Sequence, residues 1–180
     1  MGKKNLYSLM LVAGDRPGIV AEVTDVMVKN SFNIEDSSST LLKGFFAAIF
    51  IVSHDEDLPV ERVKSMYADM ERRMDVSVQV QDINDAPGSP DGDNFIISVY
   101  GSDKPGIVNK VAGYLSDKGI NIADLQTKVA GKDEAPIYIM VLEVVVPEAV
   151  QGEDWTGDLK KISEELGTDI HVRQIETYEL

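Results

Sequence analysis

The chain has 180 residues, of which 43% are hydrophobic and 27% are charged, and it contains no cysteine. This balance is typical of a globular protein and excludes fibrous and disordered classes. The formal net charge is −14, divided as −4 over residues 1–83 and −10 over residues 84–180. Because phosphate backbones are held by clustered Lys and Arg, we expect no direct nucleic-acid binding. We also expect no membrane association, since the sequence has no membrane-spanning apolar run, signal-peptide core or basic amphipathic helix. A chain without cysteine fits a reducing compartment, and we expect a cytoplasmic location, no metal site and no cofactor.

One six-residue segment occurs twice. Residues 15–20 read DRPGIV, and residues 103–108, which lie 88 positions later, read DKPGIV. At the same displacement the residues Asn33 and Ile34 fall on Asn121 and Ile122. The register therefore holds over a whole strand–helix–strand unit, as in a tandem duplication. We predict a first domain over residues 1–83, a linker over residues 84–93 that contains PGSPDG, and a second domain over residues 94–180.

Each repeat has the element order βαββαβ. In the first repeat, hydrophobic periodicity predicts strands over residues 6–13, 33–42, 45–53 and 76–80, with helices from residue 17 and from residue 60. In the second repeat it predicts strands over residues 95–101, 121–129, 136–146 and 170–175, with helices from residue 105 and around residues 155–166. With right-handed crossovers this order gives an α+β fold of the ferredoxin-like type. Its four-stranded antiparallel sheet carries both helices on one face.

Each repeat is expected to need a neighbour. A domain of about 80 residues buries only about 60% of its unfolded surface and is marginally stable. The third strand of each repeat, over residues 45–52 and 137–142, is apolar on both faces, which is typical of strands that are covered on both sides. We therefore expect pairing of repeats or of chains, and a homodimer.

The repeated turn has two interpretations. We expect Pro17 and Pro105 at the first helical position, with Gly18 and Gly106 beside an open helix N-terminus. Unpaired N–H groups and the helix dipole would suit a small carboxylate there. The alternative is that the motif only starts a helix well. If the turn binds a ligand, replacing either glycine by Val is expected to block the ligand and spare the fold.

A ligand would need more than the turn. A carboxylate at a helix N-terminus gains about 0.3 to 1 kcal/mol, or up to ~2 when partly buried, whereas millimolar affinity takes about 4 kcal/mol. Asp15 and Asp103 could hold an ammonium group, and the amides of Asn33 and Asn121 can both donate and accept.

Geometry restricts how these groups combine. A helix of about 20 Å separates each aspartate from the asparagine of its own repeat. If two repeats pair edge to edge about a two-fold axis, Asp15 meets Asn121 and Asp103 meets Asn33. If two chains pair instead, the partners are like residues from two copies.

The two DxPGIV turns with the Asn-Ile stretches at this spacing resemble the ACT-domain family of amino-acid-binding regulatory modules. As a tandem pair, they look most like the glycine cleavage system transcriptional repressor group. The resemblance implies a ligand at paired domains, with eight binding residues: Asp15, Gly18, Ile19, Asn33, Asp103, Gly106, Ile107 and Asn121. Two differences between the copies leave open whether one has lost its ligand: Lys104 stands for Arg16, and Gly119-Ile120 stands for Ser31-Phe32.

The resemblance thus implies a regulator rather than an enzyme. The expected ligand is a small amino acid, with glycine or serine favoured by the resemblance alone, and the expected partner is a transcription factor. The alternative is an interaction adaptor that ignores amino acids.

Overall fold

A computed structural model describes residues 4–86, 88, 90–131 and 136–175. The chain divides at residues 87 and 88 into two compact units, which we call unit one and unit two and describe separately. In the described part of the chain, no helix is long and apolar enough to cross a membrane.

Unit one has the predicted βαββαβ order. Its sheet is antiparallel, with the strand order β2-β3-β1-β4. The elements are β1 (Asn5–Gly14), α1 (Ile19–Lys29), β2 (Asn33–Leu42), β3 (Phe45–His54), α2 (Val60–Met74) and β4 (Val76–Asp82).

Both helices of unit one pack on the same face of the sheet. Alternate residues of β1, including Leu9 and Leu11, are fully buried. They share one core with Val23 of α1 and Val63 of α2, which come from the helical apolar stripes. This arrangement confirms the predicted ferredoxin-like architecture.

Unit two repeats the architecture with one addition. Its antiparallel sheet has the strand order β6-β7-β5-β8. A single helical turn, α4, follows Pro147 and was not predicted, because four residues are too few to show a helical period. The elements are β5 (Asp93–Ser102), α3 (Ile107–Asp117), β6 (Asn121–Ala130), β7 (Ile137–Val146), α4 (Glu148–Gln151), α5 (Trp155–Leu166) and β8 (Thr168–Gln174).

The sheet faces that point away from the helices remain partly open. In unit one Val12, Ile49 and Phe45 are 52%, 47% and 62% exposed, and in unit two Ile137 is 51% exposed. The third strands are therefore not covered on both faces within the described chain. The apolar pattern correctly places these residues in strands, but it does not identify what covers them.

Candidate ligand-binding site

The repeated motif forms a tight turn before each helix. Gly18 has φ 100° and ψ −14°, Gly106 has φ 96° and ψ −6°, and the helices begin at the next residue. These angles match the third residue of a type II turn, whose second residue is commonly proline. Pro17 and Pro105 thus precede the helix cap, and their expected place at the first helical position is wrong. The Pro-Gly pair forms the two central residues of the turn, and its glycine is the N-cap residue of the helix.

The glycines are required by the backbone. A Cβ built at Gly18 or Gly106 would meet no atom within 4 Å, but both residues have a φ that L-amino acids rarely adopt. A β-branched side chain is especially unfavourable in that region. Replacement by Val is therefore expected to strain each turn, although the space in front of it is open, and whether the fold is spared stays a prediction.

The two helices that follow the repeated turns, α1 and α3, begin without a side-chain cap. Gly18 and Gly106 carbonyls accept the first helical bonds from Glu22 and Lys110, both at 2.9 Å, and neither cap residue has a side chain to accept from the first-turn N–H groups. These N–H groups can therefore serve an external acceptor.

Among the eight candidate residues, the two isoleucines face inward. Ile19 and Ile107 are 3% and 1% exposed and belong to the cores of their units. A ligand at either turn could reach their backbone N–H groups but not their side chains. Asp15 and Asp103 are exposed beside the turns, and the Asp15 N–H donates to the Gly44 carbonyl at 2.8 Å, which ties this turn to the β2–β3 hairpin.

Within each unit, the turn and the asparagine lie at opposite ends of the sheet. Gly14, just before the first turn, pairs with Phe45, whereas Asn33 pairs with Ser53 at the far end of β3. At 3.3 Å per residue, these ends are about 26 Å apart. Asp15 and Asn33 therefore do not share a ligand within unit one.

Unit two separates its candidate residues in the same way. Ser102, just before the second turn, pairs with Ile137, and Asn121 pairs with Val145. The combination of a turn with the asparagine of another domain stays a prediction.

Asn33 belongs to a polar cluster that the sequence analysis missed. Its Nδ2 donates to Glu35 Oε1 at 3.0 Å, and the same oxygen accepts from Lys4 Nζ at 2.9 Å and from Ser53 Oγ. Hydrogen bonds from Ser53, Asn33 and Lys4, in that order of effect, lower the pKa of the exposed Glu35 carboxyl from 4.5 to about 2. Glu35 lies at a β-bulge, between the paired residues Ile34 and Asp36.

Asn121 has different surroundings. It lines an open groove of about 410 Å³ where α3 ends and β6 begins. Its side chain makes no hydrogen bond within the described residues. The bulge position, two residues after Asn121, is Ala123. The groove is lined by Ala112, Ser116, Gly119, Ile120, Asn121 and Ile122.

The residue before each proline also differs in its environment. Lys104 Nζ lies 3.4 Å from the Leu166 carbonyl at the C-terminal end of α5, where a cation is favourable. The aligned residue of unit one is Arg16. The Lys104 ammonium is therefore directed toward a helix end in its own unit.

The two units are βαββαβ modules of one class, each with an exposed turn at one end of the sheet and an asparagine at the other. Sequence profiles described as ACT domain match residues 11–81 and residues 95–153. The chain belongs to the ACT-domain family and contains two such domains.

Curated relatives match about one repeat. A UPF0237 protein of Methanopyrus kandleri is 37% identical over 76 residues, which are 84% of that protein and 41% of this chain. A UPF0237 protein of Pyrobaculum aerophilum is 29% identical over 80 residues, which are 89% of that protein and 44% of this chain. These relatives therefore have roughly the length of one ACT domain.

Solved structures match nearly the whole chain. A protein of unknown function from Galdieria sulphuraria has a TM-score of 0.82 at 24% identity, with 97% of this chain and 100% of that chain covered. A protein described as a proposed glycine cleavage system transcriptional repressor has a TM-score of 0.71 at 18% identity, with 97% and 99% covered. At these identities, both show the fold that the chain shares with them.

Proposed function

We propose that the protein is a regulator that senses a small amino acid at paired ACT domains and thereby controls amino-acid metabolism. The observation that carries the proposal is the amide of Asn121, which lines an open groove in an ACT domain and has no hydrogen-bond partner among the described residues. An amide can bind both the carboxylate and the ammonium group of an amino acid.

The remaining groups for such a ligand come from a turn of another domain. The first-turn N–H groups of α1 or α3 suit the ligand carboxylate, and Asp15 or Asp103 suits its ammonium group. Pairing within the chain joins the turn of unit one to Asn121, whereas pairing between chains joins like residues of two copies. Both arrangements use the same groups, so the chemistry of the ligand is the same. A homodimer fits either one.

We infer that the response is passed to a partner protein rather than to DNA. The net charge of −14 opposes direct binding to phosphate backbones. The fold shared with a proposed glycine cleavage system repressor makes a transcription factor the partner we favour, and glycine or serine the ligand. On this proposal the protein works in the cytoplasm, as a regulator and not as an enzyme.

A thermal melting scan against the twenty amino acids tests the proposal. A ligand at 100 times its Kd stabilises the protein by about 2.7 kcal/mol, which corresponds to a rise of several °C in Tm for domains of this size. We expect one or a few small amino acids to raise Tm, and Asn121→Ala to remove the rise. Gln126→Ala is the matched control, because it removes an exposed amide from the same strand.

The scan also separates the proposal from the alternative. An adaptor whose turns are purely structural would show the same Tm with every amino acid at several millimolar and would keep its partner binding in Asn121→Ala. That pair of results would contradict amino-acid sensing.

A further inference from the structure

Asn33 and Asn121 occupy the same position in the two ACT domains, but within the described part of the chain only Asn33 contacts a carboxylate. Asn33 Nδ2 lies 3.0 Å from Glu35 Oε1. The residue aligned with Glu35 in unit two is Ala123, whose methyl group cannot accept a hydrogen bond. The asparagine of unit one thus has a hydrogen-bond partner in its own chain, whereas that of unit two has none among the described residues.

The donors around Glu35 are of the kinds that bind carboxylates. They are an amide from Asn33, a hydroxyl from Ser53 and an ammonium group from Lys4. Charge-assisted hydrogen bonds of this kind are about twice as strong as neutral ones. Glu35 therefore occupies the Asn33 amide, which a ligand would otherwise use.

The Glu35 carboxylate also stays charged at every pH at which a ligand would be tested. Its pKa is lowered to about 2, so protonation does not release Asn33 near neutrality. Because the carboxylate is tethered two residues away, its contact with Asn33 is intramolecular, whereas a free amino acid has to compete with it from solution. A free ligand must displace it before binding.

The residues beside the asparagine are also smaller in unit two than in unit one. Three small residues, Ala112, Ser116 and Gly119, line the groove of unit two. The aligned residues of unit one are all larger: Thr24, Val28 and Ser31. Unit two thus offers both the available amide and the wider approach to it.

We propose that Glu35 is a built-in occupant of the first asparagine site, so that each chain binds the amino acid at one asparagine, Asn121, and not at two. This inference rests on the proposed function. It adds the number of ligands that each chain binds, and it names Glu35 as the residue that sets this number. Glu35 is on this view a specificity-determining residue that acts by excluding a ligand.

The test combines calorimetric titration with NMR of the side-chain amides, using the full chain and each of the twenty amino acids. We expect the wild type to bind one ligand per chain, with a shift of the Asn121 side-chain amide signals and none at Asn33. In Glu35→Ala, which gives unit one the residue that unit two has, we expect two ligands per chain and shifts at both asparagines. Glu61→Ala is the control, because it removes one exposed carboxylate from unit one at the start of α2, where it makes no contact with Asn33 among the described residues, and should leave one ligand per chain.

The outcomes separate the two proposals. Two ligands per wild-type chain, or an Asn33 signal that shifts in the wild type, would overturn the role of Glu35 and leave amino-acid sensing intact. One ligand per chain in a folded Glu35→Ala variant would also overturn it. The wild-type measurements remain decisive if that variant does not fold. Failure of every amino acid to bind either protein would overturn amino-acid sensing and the inference with it.

Discussion

The two ACT domains have nearly the same backbone at their special positions and different side chains around them. The glycines of the two turns differ by only 4° in φ, and both second strands have a register shift one residue after the Asn-Ile pair. Yet the residue at the shift is Glu35 in one domain and Ala123 in the other. The comparison shows that equivalent backbone positions carry different side chains, which on our proposal decide whether an asparagine is available to a ligand.

The cores differ as well. In unit one the Tyr7 hydroxyl donates to the Leu58 carbonyl at 2.9 Å and accepts from the Leu58 N–H at 2.7 Å. In unit two the aligned residue is Phe95, whose ring packs edge-on against Trp155 with centroids 5.3 Å apart. In unit one, hydrogen bonds from Tyr7 hold the loop before the second helix. In unit two, an aromatic contact packs Phe95 against the start of the corresponding helix.

The largest expected effect is from Tyr7→Phe. The change leaves the N–H and the carbonyl of the buried Leu58 without partners, and each unpaired buried group costs about 1 to 3 kcal/mol. We expect unit one to lose about 3 kcal/mol in its free energy of unfolding, measured by urea denaturation with a probe in each unit.

Tyr67→Phe is the control for that measurement. The Tyr67 hydroxyl is the buried side-chain oxygen that has no hydrogen-bond partner among the described residues, and burial raises its pKa. Its removal should leave stability unchanged or raise it by up to about 1 kcal/mol. A loss as large as that from Tyr7→Phe would show that the hydroxyl contact to Leu58 is not the cause.

A smaller effect is expected from the turn glycines. Gly106→Val places a β-branched residue at a φ of 96°, and the strain should cost about 2 kcal/mol. Gly113→Ala is the control on the same helix, because it is exposed and helical and should stabilise α3 by up to about 1 kcal/mol. Equal stability of Gly106→Val and the wild type in thermal unfolding would contradict the assignment of the glycine to the backbone.

The hydrogen bonds to Glu35 predict a pKa for its carboxyl group well below the ordinary value for Glu. We expect NMR to give a pKa of about 2 for Glu35, with a rise toward 4.5 in Ser53→Ala, because the hydrogen bond from Ser53 is the largest cause of the shift. A lowered pKa in the folded state means that the cluster stabilises unit one fully above pH 4.5 and progressively less as the pH falls toward 2. An unshifted Glu35 in the wild type would rule out the cluster.

The smallest effect comes from two ion pairs of opposite polarity. Glu22 of α1 pairs with Arg73 of α2 at 2.7 Å, and the aligned Lys110 of α3 pairs with Glu165 of α5 at 3.0 Å. Because all four side chains are partly exposed, Glu22→Lys should cost less than about 1 kcal/mol. The double variant Glu22→Lys, Arg73→Glu should recover most of that loss in thermal unfolding. No recovery would mean that the pair does not link the two helices.

The sequence predicts the fold well because its signals are local. The alternation of Leu9 and Leu11 and the four-residue spacing of Ile19, Val23 and Met27 are properties of single elements. The hairpin turn at Lys43-Gly44, with φ of 51° and 84°, likewise follows from a two-residue loop with glycine. These patterns need no knowledge of distant contacts.

The details of the site depend on contacts that the sequence does not display. Glu35 and Ser53 meet because β2 pairs with β3 in a register that shifts by one residue, and no local pattern gives that shift. An alignment of the two repeats would have singled out Glu35 against Ala123, but not its partners. The prediction for Pro17 was wrong for another reason. A proline suits both the first position of a helix and the second position of a turn. The left-handed Gly18 after it favours the turn, so the helix begins only at Ile19.

The bulge in the second strand has a consequence for how a duplicated protein can diverge. A residue at a bulge is left out of the pairing between neighbouring strands, so its side chain can change without moving the rest of the sheet. An acidic side chain can thus be gained or lost there while every other pair keeps its place. In a gene that encodes two copies of such a domain, a substitution at this one codon can give the two domains different functions while both keep the same fold.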